Sequence, residues 1–337
     1  RWGKDLHSQN IESFKIINII EDKSSDNIVN DKDKLEGNTA LHIAALMGKI
    51  SLVKFLVNKK KVNIDEKNNQ ENTPLLLAYK GQLQSKNSPN IEEEYSNVVK
   101  YLKDTGKGNI TADDAKGDTV LSLAQLHGNR SFSNNLLKNA SVDELRHAAG
   151  PNGENAAHRA LQKQDLNEFN HIMKKFKKNN QGNNDVNKKG ETYTHISASD
   201  PKLNDFLQSS VDHGTTITDS DEKGNTPLHI STLNNNKDGT DVLIKGSIHK
   251  KGDDIDNHKK DVKYSLNKPN KENETPVSMV LQNGDLNQLS KYINHGGDVN
   301  GKMPNGDSLL YFACKQNKIP IITLLLKKGA NVNTKNG

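Results

Sequence analysis

At 337 residues the chain suits either two compact domains or one extended repeat array, so its length does not choose between them. Its excess charge of +5 is carried by 43 Lys and only four Arg (Arg1, Arg130, Arg146 and Arg159), with aromatic residues at 4%. A nucleic-acid surface wants Arg forks and stacking rings, so that class is disfavoured and the lysines read as solvated surface. A single Cys rules out an internal disulfide and fits a reducing, intracellular setting, and no apolar run reaches the roughly 18 residues that cross a bilayer.

From the N-terminus, residues 8–17 (SQNIESFKII) read as the second helix of a structural unit, and residues 27–36 as a loop leading into Gly37. Residues 1–36 are thus expected to form a half unit or cap, with Trp2, Leu6, Phe14 and Ile17 covering the end of a stack. Residues 37–68 contain a complete unit. Thr39 is suited to cap a helix, and Ala40, Leu41, Ala44 and Ala45 give that helix a small apolar side. Gly48 can take the left-handed conformation that ends it. Ile50, Val53, Phe55, Leu56 and Val57 then make a second, more apolar helix. One such hairpin cannot bury its own apolar face, so it must stack on others.

The same pattern returns down the chain, aligned on Thr39, Thr73, Thr119, Asn155, Thr192, Thr226, Thr275 and Ser308. The spacings are 34, 46, 36, 37, 34, 49 and 33 residues, and the two long ones locate insertions at 82–94 and 246–270. Both insertions are polar, lack helical periodicity and are expected to be loops, and a third polar stretch at 177–187 slightly lengthens the fourth unit. The first, sixth, seventh and eighth units match the pattern closely. The third to fifth are degenerate, with Asn155-Ala-Ala-His158 at one opening and Pro201 where Gly is expected, so the middle of the array should be its softest part.

The wording T-x-L-H-x-A-A-x-x-G, carried by Thr39, Leu41, His42, Ala44, Ala45 and Gly48, together with a period of about 33 residues, resembles the ankyrin repeat. The implied fold is an all-α ankyrin-repeat solenoid, with a cap at 1–36 and eight repeats over 37–337. The final Asn336-Gly337 falls where another repeat would open, and the first residue is Arg1; both suggest a piece of a longer protein.

Two features invite a chemical reading. His42, His158, His195 and His229 recur at one place in four repeats, but each stands a whole repeat from the next with no chelating i, i+4 partner, so they are assigned to structure rather than to a metal. Cys314 aligns with Ala45 and is expected to pack as a small apolar residue. No phosphate-cradling G-x-x-x-x-G-K-[ST], dinucleotide G-x-G-x-x-G or nucleophile-elbow G-x-S-x-G occurs. No catalytic residue, cofactor or metal ligand is therefore assigned, and these residues are not read as an enzyme.

What the resemblance implies is a protein partner held on a concave face made by loop tips, or fingers, and the ends of first helices. On that basis the candidate contacts are Leu46, Met47, Glu66, Lys67, Tyr79, Lys80, Asp113, Asp114, Gln125, Asp221, Lys223, Gln282, Lys302, Met303, Lys315 and Gln316. Among them Leu46, Met47 and Tyr79 are expected to be apolar anchors. The composition, dominated by Lys and Asn, also resembles ankyrin arrays of secreted effectors from intracellular bacteria. The alternative expectation is thus the targeting half of such an effector, for example a ubiquitin-directed protease, with its catalytic domain outside these residues. A channel's cytosolic ankyrin domain is a third, and would require downstream apolar spans of about 20 residues.

Overall fold

The computed structural model describes residues 30–58, 62–127, 130–147, 152–178, 185–246 and 253–334. Trp2, Leu6, Phe14 and Ile17, with most of the expected N-terminal cap, lie outside these residues. The described chain is helical and divides into two compact units, residues 1–151 and 152–337.

In the first unit, α1 (Ala40–Leu46), α3 (Pro74–Gln84) and α5 (Val120–Leu126) are the first helices of three hairpins. Their partners are α2 (Ile50–Val57), α4 (Pro89–Asp104) and α6 (Arg130–Asn139), followed by a short α7 (Val142–His147). Helix α1 packs on α3 and α3 on α5, so each hairpin covers its neighbour's apolar side. Leu41, Leu56, Leu75, Leu76, Leu102 and Leu121 are fully buried between them.

The second unit contains five first helices: α8 (Ala156–Gln162), α10 (Tyr193–Ala198), α12 (Pro227–Leu233), α15 (Pro276–Asn283) and α17 (Leu309–Lys315). Their outer helices are α9 (Leu166–Lys178), α11 (Asn204–Asp212), α13 (Lys237–Lys245), α16 (Leu286–Asn294) and α18 (Ile319–Lys327), with an additional α14 (Asp253–Asn267) between α13 and α15. One apolar core runs from Ala198 and Leu207 through Leu243, Val262 and Leu281 to Leu325. The all-α ankyrin-repeat fold is thus present in both units.

All eight aligned Thr, Asn or Ser positions are N-caps with extended backbone, from Thr39 to Ser308. The oxygen of the cap satisfies an N–H that the helix cannot, as where Ser122 N–H donates to Thr119 Oγ1 at 3.0 Å. Helix ends follow the sequence as well: Gly48 (φ 68°) and Gly284 (φ 77°) are left-handed, and Asn235 and Asn317 take the same conformation at equivalent positions. Pro cannot adopt positive φ. Where it replaces this glycine, Asp200 caps a short 3-10 turn, Pro201–Leu203, that leads directly into α11.

The two insertions are not the loops expected from their polarity. Only residues 85–88 connect α3 to α4, because Pro89 stands at the first position of α4 and Glu92 in its first turn, both favourable at a helix start. Within 246–270, α14 buries His258, Val262, Ser265 and Leu266, a helical stripe of which half is polar. The polar members are held by specific bonds, His258 Nε2 with the Ile244 carbonyl at 3.1 Å and Ser265 Oγ to the Ile217 carbonyl at 2.9 Å. Hydropathy alone does not reveal a stripe made this way.

Gly81 lies inside α3, where Ala would ordinarily stabilise a helix by about 1 kcal/mol. A Cβ there would sit 2.4 Å from the Tyr95 ring, and the Tyr95 hydroxyl is anchored to the Leu46 carbonyl at 2.5 Å. Gly81→Ala should therefore lower the melting temperature, by an overpacking cost of about 1–3 kcal/mol. In a Tyr95→Ala background the same Gly81→Ala change should no longer destabilise, and a stabilised single variant would show that the ring can move aside.

The degenerate repeats also hold a buried hydroxyl without a protein partner, at Ser133, which costs stability when left unpaired. Amide hydrogen exchange is expected to be fastest between Asp118 and Leu207 and slowest in the first and eighth repeats, end fraying aside. Uniform protection would contradict a soft centre.

Candidate partner-binding face

The repeating buried feature is a bridge between hairpins. The N–H of Thr39 donates to His42 Nδ1 at 3.1 Å, which leaves His42 Nε2 to bond the Asn72 carbonyl of the next repeat at 3.0 Å. The same bridge joins Thr192 and His195 to Asn225, and Thr226 and His229 to Glu274. His158 occupies the fourth such position with its ring 4.4 Å from that of Tyr193. These histidines are structural. Burial lowers the pKa of all four, those of His158 and His229 to about 4.

The fingers are built on Asx turns. Asn68 Oδ1 accepts the N–H groups of Gln70 and Asn72, and Asp114, Asn187, Asp221 and Asn270 repeat the arrangement. This explains two of the predicted contacts differently. Asp114 is buried, where Lys80 and the N–H groups of Asp118 and Lys116 hold it. Burial pushes its carboxyl up, but these partners outweigh burial and its pKa falls below the ordinary value. Asp221 is half-buried in the same role. Met303 takes this position in the last finger, and is buried there as an apolar plug instead of facing a partner.

Tyr79 and Gln125, expected on the surface, are fully buried. Both stand six residues after their N-cap, in register with Ala45, Leu161, Ala198 and Leu281, all fully buried. The Tyr79 ring, for example, stacks on Phe132 of the next hairpin at 5.0 Å. Cys314 shares the register but is exposed, contrary to its expected packing, because among the described residues no further hairpin covers this side of α17.

The rung that faces solvent is one residue later: Leu46, Lys80 and Leu126 in the first unit, and Gln162, Ser199, Leu233, Gln282 and Lys315 in the second. Leu46 and the adjacent Met47 are half-buried, whereas Leu126 and Leu233 are 52% and 65% exposed. Leu126 and Leu233 were missed, although their distance from Thr119 and Thr226, identical to that of Leu46 from Thr39, could have found them. Lys80 shows where the rung looks: its ammonium bonds Asn72 Oδ1 at 2.7 Å and Asp114 of the following finger. Finger charges also pair along the first unit, Lys32 with Glu66 at 2.6 Å and Lys67 with Glu71 and Asp113 at 3.3 and 3.1 Å. Lys223, Gln282, Lys302, Lys315 and Gln316 are exposed in the second unit.

Among the described residues no three His, Cys, Asp or Glu side chains gather as a metal site, and no helix is long and apolar enough to cross a membrane. What remains is a surface, and the comparisons agree with its architecture. The family model for ankyrin repeats (three copies) matches residues 7–86 and 255–336, just under half of the chain. The chain carries ankyrin repeats, and with them the framework of a protein-interaction module. It is 33% identical over 99 residues, 29% of its length, to Alpha-latrocrustotoxin-Lt1a of Latrodectus tredecimguttatus, and 24% identical over 154 residues, 45% of its length, to the B-cell lymphoma 3 protein homolog of Mus musculus. These stretches span 6% and 31% of the two relatives.

The buried histidines impose a pH dependence. Unfolded His titrates near 6.5, so the native state, which resists protonation until about pH 4, loses stability as pH falls from 6.5 towards 4 and gains none above 6.5. Between pH 7 and 5 the loss per such histidine is of the order of 1–2 kcal/mol. His229→Gln should lower stability at pH 7 and flatten the fall towards pH 5 in denaturant melts; an unchanged pH slope would show that His229 takes up its proton as readily in the fold as in the unfolded chain.

Proposed function

We propose that the chain is a protein-recognition module that takes its partner on the face formed, within a unit, by the first-helix ends and the fingers. One observation carries this reading: leucines at a repeating solvent-facing position, Leu126 and Leu233, each set on a helix whose opposite side is locked into the core. Large apolar groups on a rigid backbone lose little entropy on docking, and a few such desolvated anchors carry most of the energy of a protein interface. With four Arg in 337 residues, a protein partner is favoured over nucleic acid. One Cys supports a reducing, intracellular setting, which includes the cytoplasm of a host cell.

Affinity purification with this chain as bait, followed by mass spectrometry, supplies the partner. Replacing Met47 and Leu126 together by Ala in the first unit, or Leu233 by Ala in the second, should then weaken binding to the unit that holds the partner by more than about 1 kcal/mol, the value that separates anchors from rim contacts. Reversing Lys259 and Lys260, exposed on α14, should do less and act mainly on the association rate. The reverse ranking would move the binding face to α14. The further reading, the targeting half of a secreted effector enzyme, is supported by the composition alone; a Cys-His or nucleotide-binding motif elsewhere in the full-length gene would favour it.

A further inference from the structure

The first unit separates its charges. Its three fingers, residues 30–38, 65–72 and 109–118, hold nine carboxylates against four lysines in a chain whose net charge is +5. Two of those lysines are already taken, Lys32 by Glu66 and Lys67 by Glu71 and Asp113, and the rung lysine Lys80 is spent on Asp114. Asp31 and Asp65 are exposed, as is Asp113 beside Lys67, and the nine carboxylates outnumber the four finger lysines and Lys80 by four, so the finger edge presents net negative charge to solvent. Apolar groups lie on the same face: Leu35 is 78% exposed within the first finger, and Leu46 and Leu126 flank Lys80, whose contacts with two successive fingers fix the direction of the rung.

We propose that this face docks a protein segment in which apolar side chains alternate with lysine or arginine, the apolar ones covering Leu46 and Leu126 and the cations resting against the fingers. The inference rests on the reading of this face as the partner-binding one, and adds the sign of the partner's charge. An acidic segment would meet like charge with no free lysine on the rung to answer it, and a nucleic acid would meet the same repulsion. Cationic side chains suit the fingers and aliphatic ones suit the leucines, and a segment bearing both satisfies each without leaving a buried charge unpaired.

The test uses the full chain and three fluorescein-labelled peptides of one length and pattern, Leu/Lys, Leu/Glu and Ser/Lys, with fluorescence anisotropy as the readout. The Leu/Lys peptide should bind. Leu126→Ser, and separately Asp31→Lys with Asp113→Lys, should each weaken it about tenfold with unchanged melting curves, whereas Leu233→Ser should leave it unaltered. The Leu/Glu and Ser/Lys peptides should bind at least about tenfold more weakly. Equal binding of Leu/Glu that still depends on Leu126 overturns the charge assignment and leaves the face intact. Equal binding of Ser/Lys overturns the apolar part. Binding of Leu/Lys that ignores Leu126, or no binding at all, removes both this inference and the choice of face in this unit.

Discussion

Every repeat depends on the capped start of its first helix, and in three of the eight that cap is extended into a hydrogen-bonded bridge, through the ring of the histidine three residues later to a carbonyl of the next repeat. His42, His195 and His229 make it without solvent access, at 2.9–3.0 Å from the receiving carbonyl. It does two things at once: it satisfies the start of a short helix, and it sets the distance and register at which the neighbouring hairpin arrives. Helices of seven residues, too short to persist alone in water, are stable here because their ends and one side are completed by the next repeat.

That constraint also sorts the surface. With the helix starts pinned, each residue's offset from the cap decides its fate. The sixth position is pressed against the neighbouring hairpin, and the seventh looks out over the fingers. Tyr79 and Gln125 are therefore core, and Leu126 and Leu233 are surface, although hydropathy would place Gln125 and Leu126 the other way round. A glutamine tolerated in the core and a leucine held in water one residue on are difficult to explain by stability, and the second of these is what a recognition surface requires.

The fingers are stiffened from within. Each Asx turn spends its carboxylate or amide on its own backbone, and neighbouring fingers are tied by ion pairs such as Lys67 with Asp113 and by amide ladders such as Asn68 to Asn38 at 2.8 Å. Exposed pairs of this kind contribute little stability singly. Their consequence is positional: they hold charged groups along one edge of the first unit, so that its electrostatic character belongs to an ordered surface.

From sequence alone, the caps, the helix ends and the repeat boundaries were legible, because each is a local event governed by one or two residues: Thr at a helix start, Gly or Asn in the left-handed region at its end. The bridging role of His42, His195 and His229 was legible too, from their recurrence at repeat spacing. Tertiary structure decided the rest. It made a helix of 253–267, where half of the buried stripe is polar and is satisfied by partners on other elements, Ile244 and Ile217. It also left Cys314 in solvent and buried Tyr79, Asp114, Gln125 and Met303, because burial depends on whether a neighbouring repeat lies over a position, and that neighbour is about 33 residues away and out of reach of any local pattern.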